Sequence, residues 1–250
     1  MAETLERCMK IIDIFLTPIR ILIVVVWTLF SGILGMLLLV VIWNPAHTQM
    51  ITTRWVWSPV LLGICGVRVR LHGAENIDMH NTRVYVANHA SQFDIVALCR
   101  VMPITLFFVA KRELAKIPIV GQYIYLLGHI YVDRSNAESA KQSMRNAAKK
   151  IKAGKNVISF AEGTRSKTGE LLMFRRGPFI IAKEGNIDVV PVAIEGSYHV
   201  LKSGSYIPRS GVINIYIGKA ITHQEYGNMS VEQLAAHARE KIKDMLDRHP

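Results

Sequence analysis

The chain has 250 residues, half of them hydrophobic, and its 30 Lys and Arg residues against 19 Asp and Glu residues give a formal net charge of +11. This length allows one α/β domain with an additional segment, and three widely separated cysteines (Cys8, Cys65 and Cys99) exclude a disulfide framework or a cysteine-based metal site. A basic, apolar chain favours an anionic membrane surface or a phosphorylated substrate as its binding partner. Nucleic acid is disfavoured as a partner because the sequence has no zinc-ligand spacing, no aromatic RNA-binding motif and no long basic arm.

The N-terminal part is strongly hydrophobic. Residues 1–20 mix charges of both signs with apolar residues and predict an amphipathic lead-in. Residues 21–43 then form 23 residues without a charge, which as a helix measure about 35 Å and exceed a bilayer core of about 30 Å. Because this run is longer than a signal-peptide core and has no acid-free basic leader, we expect it to be retained rather than cleaved.

A second hydrophobic run covers residues 55–67 and begins with two tryptophans, which suit a membrane interface. Two arrangements stay open, since the first helix could cross the bilayer once or both runs could form a hairpin within one leaflet. In either case we expect residues 1–65 to form N-terminal hydrophobic membrane-anchoring helices and residues 66–250 to form an α/β domain held against lipid.

From residue 67 onward, short apolar runs alternate with helical patterns. This alternation predicts an α/β fold with a mixed, mainly parallel sheet flanked by helices. The predicted strands are 67–71, 82–88, 105–110, 129–133, 156–160, 188–194 and 212–217. The predicted helices are 92–102, 118–127, 136–153, 176–184 and 230–248, the last with a capping box formed by Ser230 and Gln233.

The stretch from Val84 to Asp94 runs from a buried strand into a helix, which is where open α/β sheets hold their ligands. It contains His89 and Asp94, five positions apart. Because residues i and i+5 lie roughly 140° apart on a helix, these side chains can meet only if His89 lies in the turn and Asp94 in the first helical turn. Asp94 would then accept the Nδ1 proton and leave Nε2 as a general base, with a purely structural histidine as the alternative.

Polar clusters also follow two later strands. Arg134 closes one strand and suits either an anion or an ion pair with Asp133. In the turn that follows the next strand, Glu162 is a candidate acceptor for a hydroxyl group, Gly163 permits a tight turn or a close ligand, and Arg165 suits a phosphate.

A proline interrupts the apolar strand of residues 189–194. Because proline cannot donate to a β-ladder, Pro191 predicts an edge strand, a bulge or a close approach to a ligand.

Taken in order, the motifs His-x4-Asp, Asp-Arg, Glu-Gly-Thr-Arg and Val-Pro-Val-Ala-Ile resemble those of the glycerolipid acyltransferase family over about residues 66–222. The resemblance is closest to bacterial-type members that acylate 1-acylglycerol 3-phosphate, and the hydrophobic N-terminus is also similar. It implies a glycerol-3-phosphate acyltransferase-like fold. The chain departs from the usual pattern at Ala161, Tyr131 and Val132, none of which is a proton-transfer or charged position.

The resemblance also implies roles for individual residues. His89 and Asp94 are expected to be catalytic. A larger set is expected to bind substrate, with Lys111 near the acceptor phosphate, and this set is Lys111, Arg134, Glu162, Gly163, Arg165 and Pro191.

The activity implied by the resemblance is transfer of an acyl chain from an acyl-CoA or acyl carrier protein thioester to the sn-2 hydroxyl of 1-acylglycerol 3-phosphate. The product would be phosphatidate, for phospholipid biosynthesis. The expected partners are the thioester donor, lysophosphatidate and anionic membrane lipids, and no metal or organic cofactor is expected. The implied location is the inner cell membrane, with the catalytic domain on the cytoplasmic side.

Other functions stay open as alternatives. The acceptor could be glycerol 3-phosphate or a lyso-aminolipid, and a chain without catalysis could bind anionic lipid. A lipase or thioesterase with a serine nucleophile is disfavoured because the sequence has no G-x-S-x-G motif. For an acyltransferase, we expect chain-length preference to depend on the depth of an apolar tunnel with a wall in residues 118–127.

Overall fold

The computed structural model describes residues 2–132, 147–149, 151 and 153–248, with side chains from Leu16 onward. Within these residues seven strands form one sheet. They are β1 (Val67–His72), β2 (Val84–Ala87), β3 (Leu106–Lys111), β4 (Ile130–Val132), β5 (Asn156–Phe160), β6 (Val189–Glu195) and β7 (Gly211–Ile217).

The sheet has the strand order β1-β7-β6-β2-β5-β3-β4. Neighbouring strands run parallel except β6 and β7, which are antiparallel. The predicted α/β fold with a mixed, mainly parallel sheet is therefore confirmed. All four residues of β2 are buried, as expected for a central strand covered on both faces.

Helices cover the sheet and form the N-terminal part. They are α1 (Ala2–Ile42), α2 (Pro45–Gln49), α3 (Ser58–Ile64), α4 (Phe93–Val101), α5 (Val120–Leu127), α6 (Gly177–Gly185), α7 (Ser197–Val200) and α8 (Val231–Asp247). Met50–Trp57 is a π-helix, and Ala74–Asn76 and Arg112–Lys116 are 3₁₀ turns. Most of the predicted helix 136–153 lies outside the described residues.

Two hydrophobic clusters form the core, one on each face of the sheet. Val84 and Val86 contribute to the first cluster, whereas Tyr85 and Ala87 contribute to the second, because successive side chains of a strand point to opposite faces. The first cluster includes residues of α6 and α8, and the second includes residues of α3 and α4. The sheet is thus a middle layer between helices on both faces.

The last helix begins as predicted. The Ser230 hydroxyl accepts the backbone N–H of Gln233 at 3.1 Å, and the Gln233 side chain accepts the backbone N–H of Ser230 at 2.7 Å. This reciprocal pair is a capping box, which satisfies two N–H groups at the start of α8.

Helix α1 is long and apolar enough to cross a membrane by length and composition over Leu16–Ile42. The second hydrophobic run returns against it. The indole N–H of Trp27 donates to the carbonyl of Val56 at 3.1 Å, and the indole N–H of Trp57 donates to the hydroxyl of Thr28 at 3.0 Å. The two hydrophobic runs are therefore in contact with each other.

Much of the apolar surface of α1 remains outside the core. Leu22, Val40 and Val41 are more than half exposed, and Trp43 just after the helix is 84% exposed. Such a contiguous apolar surface suits lipid better than water.

The N-terminal helices also contact the sheet domain. The Gln49 side chain donates to the carbonyl of Leu106 at 2.7 Å, and the Thr52 hydroxyl is hydrogen-bonded to the hydroxyl of Tyr123 in α5. The division into residues 1–65 and 66–250 falls between α3 and β1 and stays a prediction.

Candidate active site

Five strands run parallel to one another, so their carboxyl ends lie at the same end of the sheet; these strands are β2, β3, β4, β5 and β6. Ala87 pairs with Phe160 in register, so the turns after β2 and β5 lie side by side. The first turn carries His89 and the second carries Glu162 and Arg165, while β3 ends at Lys111. Most of the predicted site residues therefore lie at the edge where open α/β sheets bind ligands.

His89 and Asp94 meet as predicted. His89 lies in the turn after β2, and Asp94 is the second residue of α4. The imidazole Nδ1 is 2.8 Å from Asp94 Oδ2, and the same oxygen accepts the backbone N–H groups of Ala90 and Ser91 at 2.8 and 2.9 Å. The carboxylate of Asp94 is thus bonded both to the His89 ring and to the backbone of the turn, and the Asp94 side chain is 0% exposed.

The hydrogen bond to Asp94 sets the chemistry of the imidazole. A carboxylate can only accept, so Nδ1 of His89 carries the proton and Nε2 of the neutral ring is an acceptor. The ring stacks on Phe160 with 3.9 Å between centroids and 14° between planes. Its side chain is 15% exposed, which leaves the ring reachable at the sheet edge. This arrangement can abstract a proton from a bound hydroxyl group.

Glu162 is buried against the turn after β2 rather than exposed at the surface. It is 2% exposed, and its Oε1 accepts the backbone N–H of His89 at 3.1 Å. Burial raises the pKa of its carboxyl to about 7, the negative charge of Asp94 adds to this rise, and the backbone N–H groups of His89 and Leu172 oppose it. Burial thus disfavours the ionised form of this carboxyl.

The turn after β5 holds the other side of His89 as well. The backbone N–H of Ser166 donates to the carbonyl of His89 at 2.8 Å. Gly163 has φ of 75°, a left-handed conformation that glycine adopts without strain. The Gly163 backbone thus allows the sharp turn that brings Ser166 back to His89.

The predicted phosphate ligands differ in their surroundings. Arg165 is half-buried, and within the described part of the chain its guanidinium has no hydrogen bond or ion pair. Lys111 is exposed and pairs with Glu113 at 2.9 Å. Arg134 is the second residue after β4 and lies outside the described residues.

Pro191 is inside the sheet. β6 lies between β2 and β7, so of the three alternatives predicted for Pro191 the edge strand is excluded. Val192 pairs with Ile217 while Val189 pairs with Ile221, and this shift in register falls where the proline cannot donate. Pro191 lies opposite Val86, and its proposed contact with substrate stays a prediction.

An apolar cavity of about 170 Å³ lies between the sheet edge and the N-terminal helices. Its walls include Thr28 of α1, Ile95 of α4, Phe108 and Ala110 of β3, and Tyr123 of α5. The Phe108 ring is 6.4 Å from that of Phe160, on which His89 stacks. A wall residue of the cavity is therefore a neighbour of the ring that stacks on the imidazole.

The expected apolar wall in residues 118–127 lines this cavity through Val120, Tyr123, Ile124 and Leu127. The contribution of α1 and of the π-helix to the same cavity was not anticipated from the sequence. Neither were the stacking of Phe160 on His89 and the bond from Ser166, because these contacts join residues far apart in the chain.

Within the parts of the chain that are described, no group of three or more His, Cys, Asp or Glu side chains could hold a metal ion. His129, which the sequence analysis did not assign to the site, is buried and accepts the backbone N–H of Phe108 through Nδ1 at 2.9 Å. It therefore supports a wall of the cavity.

Comparison with known proteins shows the family to which the chain is related. A family model described as "Acyltransferase" matches residues 68–195, which include the turns after β2 and β5. The 1-acyl-sn-glycerol-3-phosphate acyltransferase of Saccharomyces cerevisiae is 29% identical over 244 residues, which cover 95% of this chain and 80% of the yeast protein. The protein of the same name from Salmonella typhimurium is 24% identical over 221 residues, covering 88% and 89% of the two chains.

A solved structure is also similar. The crystal structure of the 1-acyl-sn-glycerophosphate acyltransferase PlsC from Thermotoga maritima matches with a TM-score of 0.82 and 28% identity, covering 96% of each chain. The similarity therefore extends over the N-terminal helices as well as the sheet domain. On the family match and on this shared architecture, the chain belongs to the acyltransferase family.

Proposed function

We propose that this protein transfers an acyl chain from a thioester to the sn-2 hydroxyl of 1-acylglycerol 3-phosphate and so forms phosphatidate. The observation that carries this proposal is the His89–Asp94 pair at the sheet edge, placed next to an apolar cavity that the N-terminal helices help to form. The similar proteins from yeast, Salmonella and Thermotoga carry names that specify this reaction.

The chemistry follows from the geometry of the pair. Nε2 of His89 takes the proton of the acceptor hydroxyl as its oxygen attacks the thioester carbonyl, and Asp94 stabilises the imidazolium that forms. The tetrahedral intermediate then collapses, the carbon–sulfur bond breaks, and the thiolate takes the proton back from the imidazolium. An oxygen ester and a free thiol result, and the enzyme returns to its starting state without a metal or organic cofactor.

Arg165 is proposed as the main ligand of the acceptor phosphate. Its guanidinium is unengaged within the described residues, and a planar fork of donors matches phosphate oxygens. Lys111 and Arg134 are proposed to add positive charge at the ends of β3 and β4, and Gly163 to allow close approach of the glycerol. Pro191 is proposed to support the same site from β6.

We expect Arg165→Ala to raise KM for lysophosphatidate at least roughly tenfold, because one charge-assisted bidentate contact contributes on the order of 1.5–3 kcal/mol. The measurement is the rate of phosphatidate formation at varied lysophosphatidate. Arg209→Ala, outside the turns that form the site, provides the control and should leave KM unchanged. If Arg165→Ala has the wild-type KM for lysophosphatidate, Arg165 does not bind the acceptor phosphate.

The apolar cavity is proposed to hold the acyl chain of the thioester donor. Acyl-CoA and acyl carrier protein both deliver the same thioester carbonyl, so either donor fits the proposed site. A cavity walled by membrane helices also lets the acyl chain avoid water during transfer.

Ala110→Leu should shift the preferred donor to a shorter acyl chain, because the added carbons occupy cavity volume. We expect the rate with long-chain donors to fall roughly tenfold relative to short-chain donors, in line with the 1–3 kcal/mol that one methylene is worth in a hydrophobic pocket. The measurement is the rate across a series of acyl thioesters. Ala74→Leu, on an exposed 3₁₀ turn, is the matched control, and an unchanged chain-length profile for Ala110→Leu would contradict this assignment.

The N-terminal helices are proposed to hold the sheet domain at the surface of the inner cell membrane, with the domain on the cytoplasmic side. The apolar surface of α1 and the net positive charge of the chain support binding to anionic lipid. In that position the acceptor head group lies at the sheet edge while its single chain stays in lipid.

The acceptor is tested directly with a panel of acceptors. Purified protein in anionic vesicles is given an acyl thioester with lysophosphatidate, glycerol 3-phosphate or a lyso-aminolipid, and the products are separated. We expect phosphatidate to form at least tenfold faster than any other ester. Faster acylation of glycerol 3-phosphate or of the lyso-aminolipid would replace the proposed acceptor, and binding of anionic lipid without any product would replace the proposed activity.

A further inference from the structure

Glu162 is a buried carboxyl in a motif that the resemblance assigns to binding of glycerol phosphate. We propose instead that Glu162 is a positioning residue, which fixes the backbone of His89 and so aims the catalytic imidazole, and that it does not bind the acceptor. This proposal depends on the acyltransferase function given above, and it deepens the account of that site.

The first support is the hydrogen bonding of His89 itself. Oε1 of Glu162 accepts the backbone N–H of His89 at 3.1 Å, and the backbone N–H of Ser166 donates to the carbonyl of His89 at 2.8 Å. Both polar groups of the catalytic residue's main chain are thus bonded to the turn after β5. Asp94 then fixes the remaining degree of freedom, the direction of the ring.

The second support is how the turn after β5 is attached. The backbone N–H of Arg175 donates to the carbonyl of Ala161 at 2.7 Å, so the residue before Glu162 is bound to the segment that follows the turn. The Arg239 side chain of α8 donates to the carbonyls of Leu171 and Leu172 at 2.8 and 2.9 Å and fastens that same segment. Through Glu162, the His89 backbone is therefore connected to a segment that is itself bonded to α8.

The third support is that the carboxyl is badly suited to bind the acceptor. Glu162 is 2% exposed, whereas Arg165, three residues later, is half-buried and within the described residues unpaired. An ionised carboxylate is repelled by a phosphate. Burial raises the pKa of Glu162 to about 7 and so already disfavours its ionised form. A neutral carboxyl still accepts the His89 N–H, which is the contact the proposal needs.

The experiment compares two substitutions of similar size. Glu162→Gln keeps an oxygen acceptor for the His89 N–H, whereas Glu162→Leu keeps the volume but removes the acceptor. We expect Glu162→Gln to retain kcat within about threefold. We expect Glu162→Leu to lower kcat on the order of 100-fold, the cost of a misplacement of about 1 Å in a catalytic group, with KM for lysophosphatidate within about threefold of wild type.

Two controls make the comparison specific. Glu170 lies in the same turn but is exposed, so the matched pair Glu170→Gln and Glu170→Leu should leave kcat and KM unchanged. If Glu162→Leu does not fold, Glu162→Asp serves in its place, because it keeps the charge but withdraws the acceptor by one carbon. We expect Glu162→Asp to lower kcat at least tenfold at unchanged KM.

A readout that does not need activity is hydrogen exchange of the backbone amides in residues 88–92. In Glu162→Leu the His89 amide should exchange at least tenfold faster than in the wild type. In Glu162→Gln its exchange rate should match that of the wild type. Wild-type phosphatidate formation reports on the proposed function, whereas the exchange difference reports on Glu162, so the two can fail separately.

Three results would overturn the positioning role. The first is a rise in KM for lysophosphatidate of tenfold or more with kcat unchanged in Glu162→Leu, which would make Glu162 an acceptor ligand. The second is an equal loss of kcat in Glu162→Gln and Glu162→Leu, which would mean that catalysis needs the charge of Glu162 rather than its hydrogen bond to the His89 N–H. The third is unaltered exchange of the His89 amide in Glu162→Leu.

Discussion

Replacing His89 by alanine is expected to lower kcat for acyl transfer by about 10²–10⁴-fold, the usual cost of losing a general base. The imidazole is the only group at the end of β2 that is both oriented by a buried carboxylate and free at its second nitrogen among the described residues. Its removal leaves the hydroxyl of the acceptor without a proton acceptor. The measurement is the initial rate of phosphatidate formation, together with binding of lysophosphatidate to the variant.

The control for this substitution is His72→Ala. His72 is exposed at the end of β1, where its ring stacks on Tyr216 and bonds to Asn214, far from the turn after β2. We expect His72→Ala to keep the wild-type kcat and His89→Ala to keep the wild-type affinity for lysophosphatidate. If His89→Ala acylates lysophosphatidate within threefold of the wild-type rate, His89 is not the base.

Asp94→Asn should also lower kcat by about 10²–10⁴-fold, although it preserves the shape of the side chain. The amide oxygen can still accept the backbone N–H groups of Ala90 and Ser91, so the turn should remain folded. The neutral amide can no longer stabilise the imidazolium, and its NH₂ group can force the wrong tautomer on His89. The measurement is kcat at saturating lysophosphatidate, with the melting temperature to verify folding.

Asp78→Asn is the matched control because Asp78 has a similar structural role without a histidine partner in the site. Its Oδ1 accepts the backbone N–H groups of His80 and Asn81 at 2.8 and 2.9 Å. The side-chain amide of Asn81 also donates to Oδ2 of Asp78 at 2.9 Å, and this bond, followed by the two backbone bonds, holds the pKa of Asp78 well below its usual range. We expect Asp78→Asn to leave kcat unchanged.

The double variant His89→Ala with Asp94→Asn tests whether the pair acts as a unit. Because Asp94 is proposed to act only through the imidazole, its loss should add little once His89 is gone, so the double variant should match His89→Ala within about threefold. A fully multiplicative loss would mean that Asp94 acts on the substrate independently.

The elements of the fold that the sequence predicted well are those with local signals. The strand from Val84 to Ala87 and the helix that begins at Phe93 follow from a short buried run and a polar break. The meeting of His89 with Asp94 could be predicted locally, since His89 lies in the turn after β2 and Asp94 in the first turn of the helix that follows. The capping box at Ser230 is also a purely local pattern.

The contacts that escaped prediction depend on strand order, which one sequence does not reveal. Phe160 stacks on His89 because β5 is the neighbour of β2, and Glu162 reaches the His89 amide for the same reason. Of the alternatives predicted for Pro191, the strand order excludes the edge strand because β6 lies inside the sheet, whereas the shift in register fits a bulge. A proline in an interior strand is accommodated where the register to β7 shifts.

The cavity was predicted only in part. An apolar wall in α5 was expected from the composition of residues 118–127, but the opposite wall comes from α1 and the π-helix Met50–Trp57. Those helices were assigned to membrane anchoring alone, because hydrophobic composition does not separate side chains that face lipid from those that face a cavity. The structure gives the N-terminal helices a second contribution, since Thr28 and Tyr123 line the same space.

The most direct test of direct acyl transfer by His89 and Asp94 is the stoichiometry of the wild-type reaction with a labelled acyl thioester in anionic vesicles. We expect phosphatidate and free thiol to appear in equal amounts, both to require lysophosphatidate, and no label to remain attached to the protein. Release of labelled fatty acid in place of phosphatidate, or a labelled acyl group trapped on the protein, would contradict direct acyl transfer.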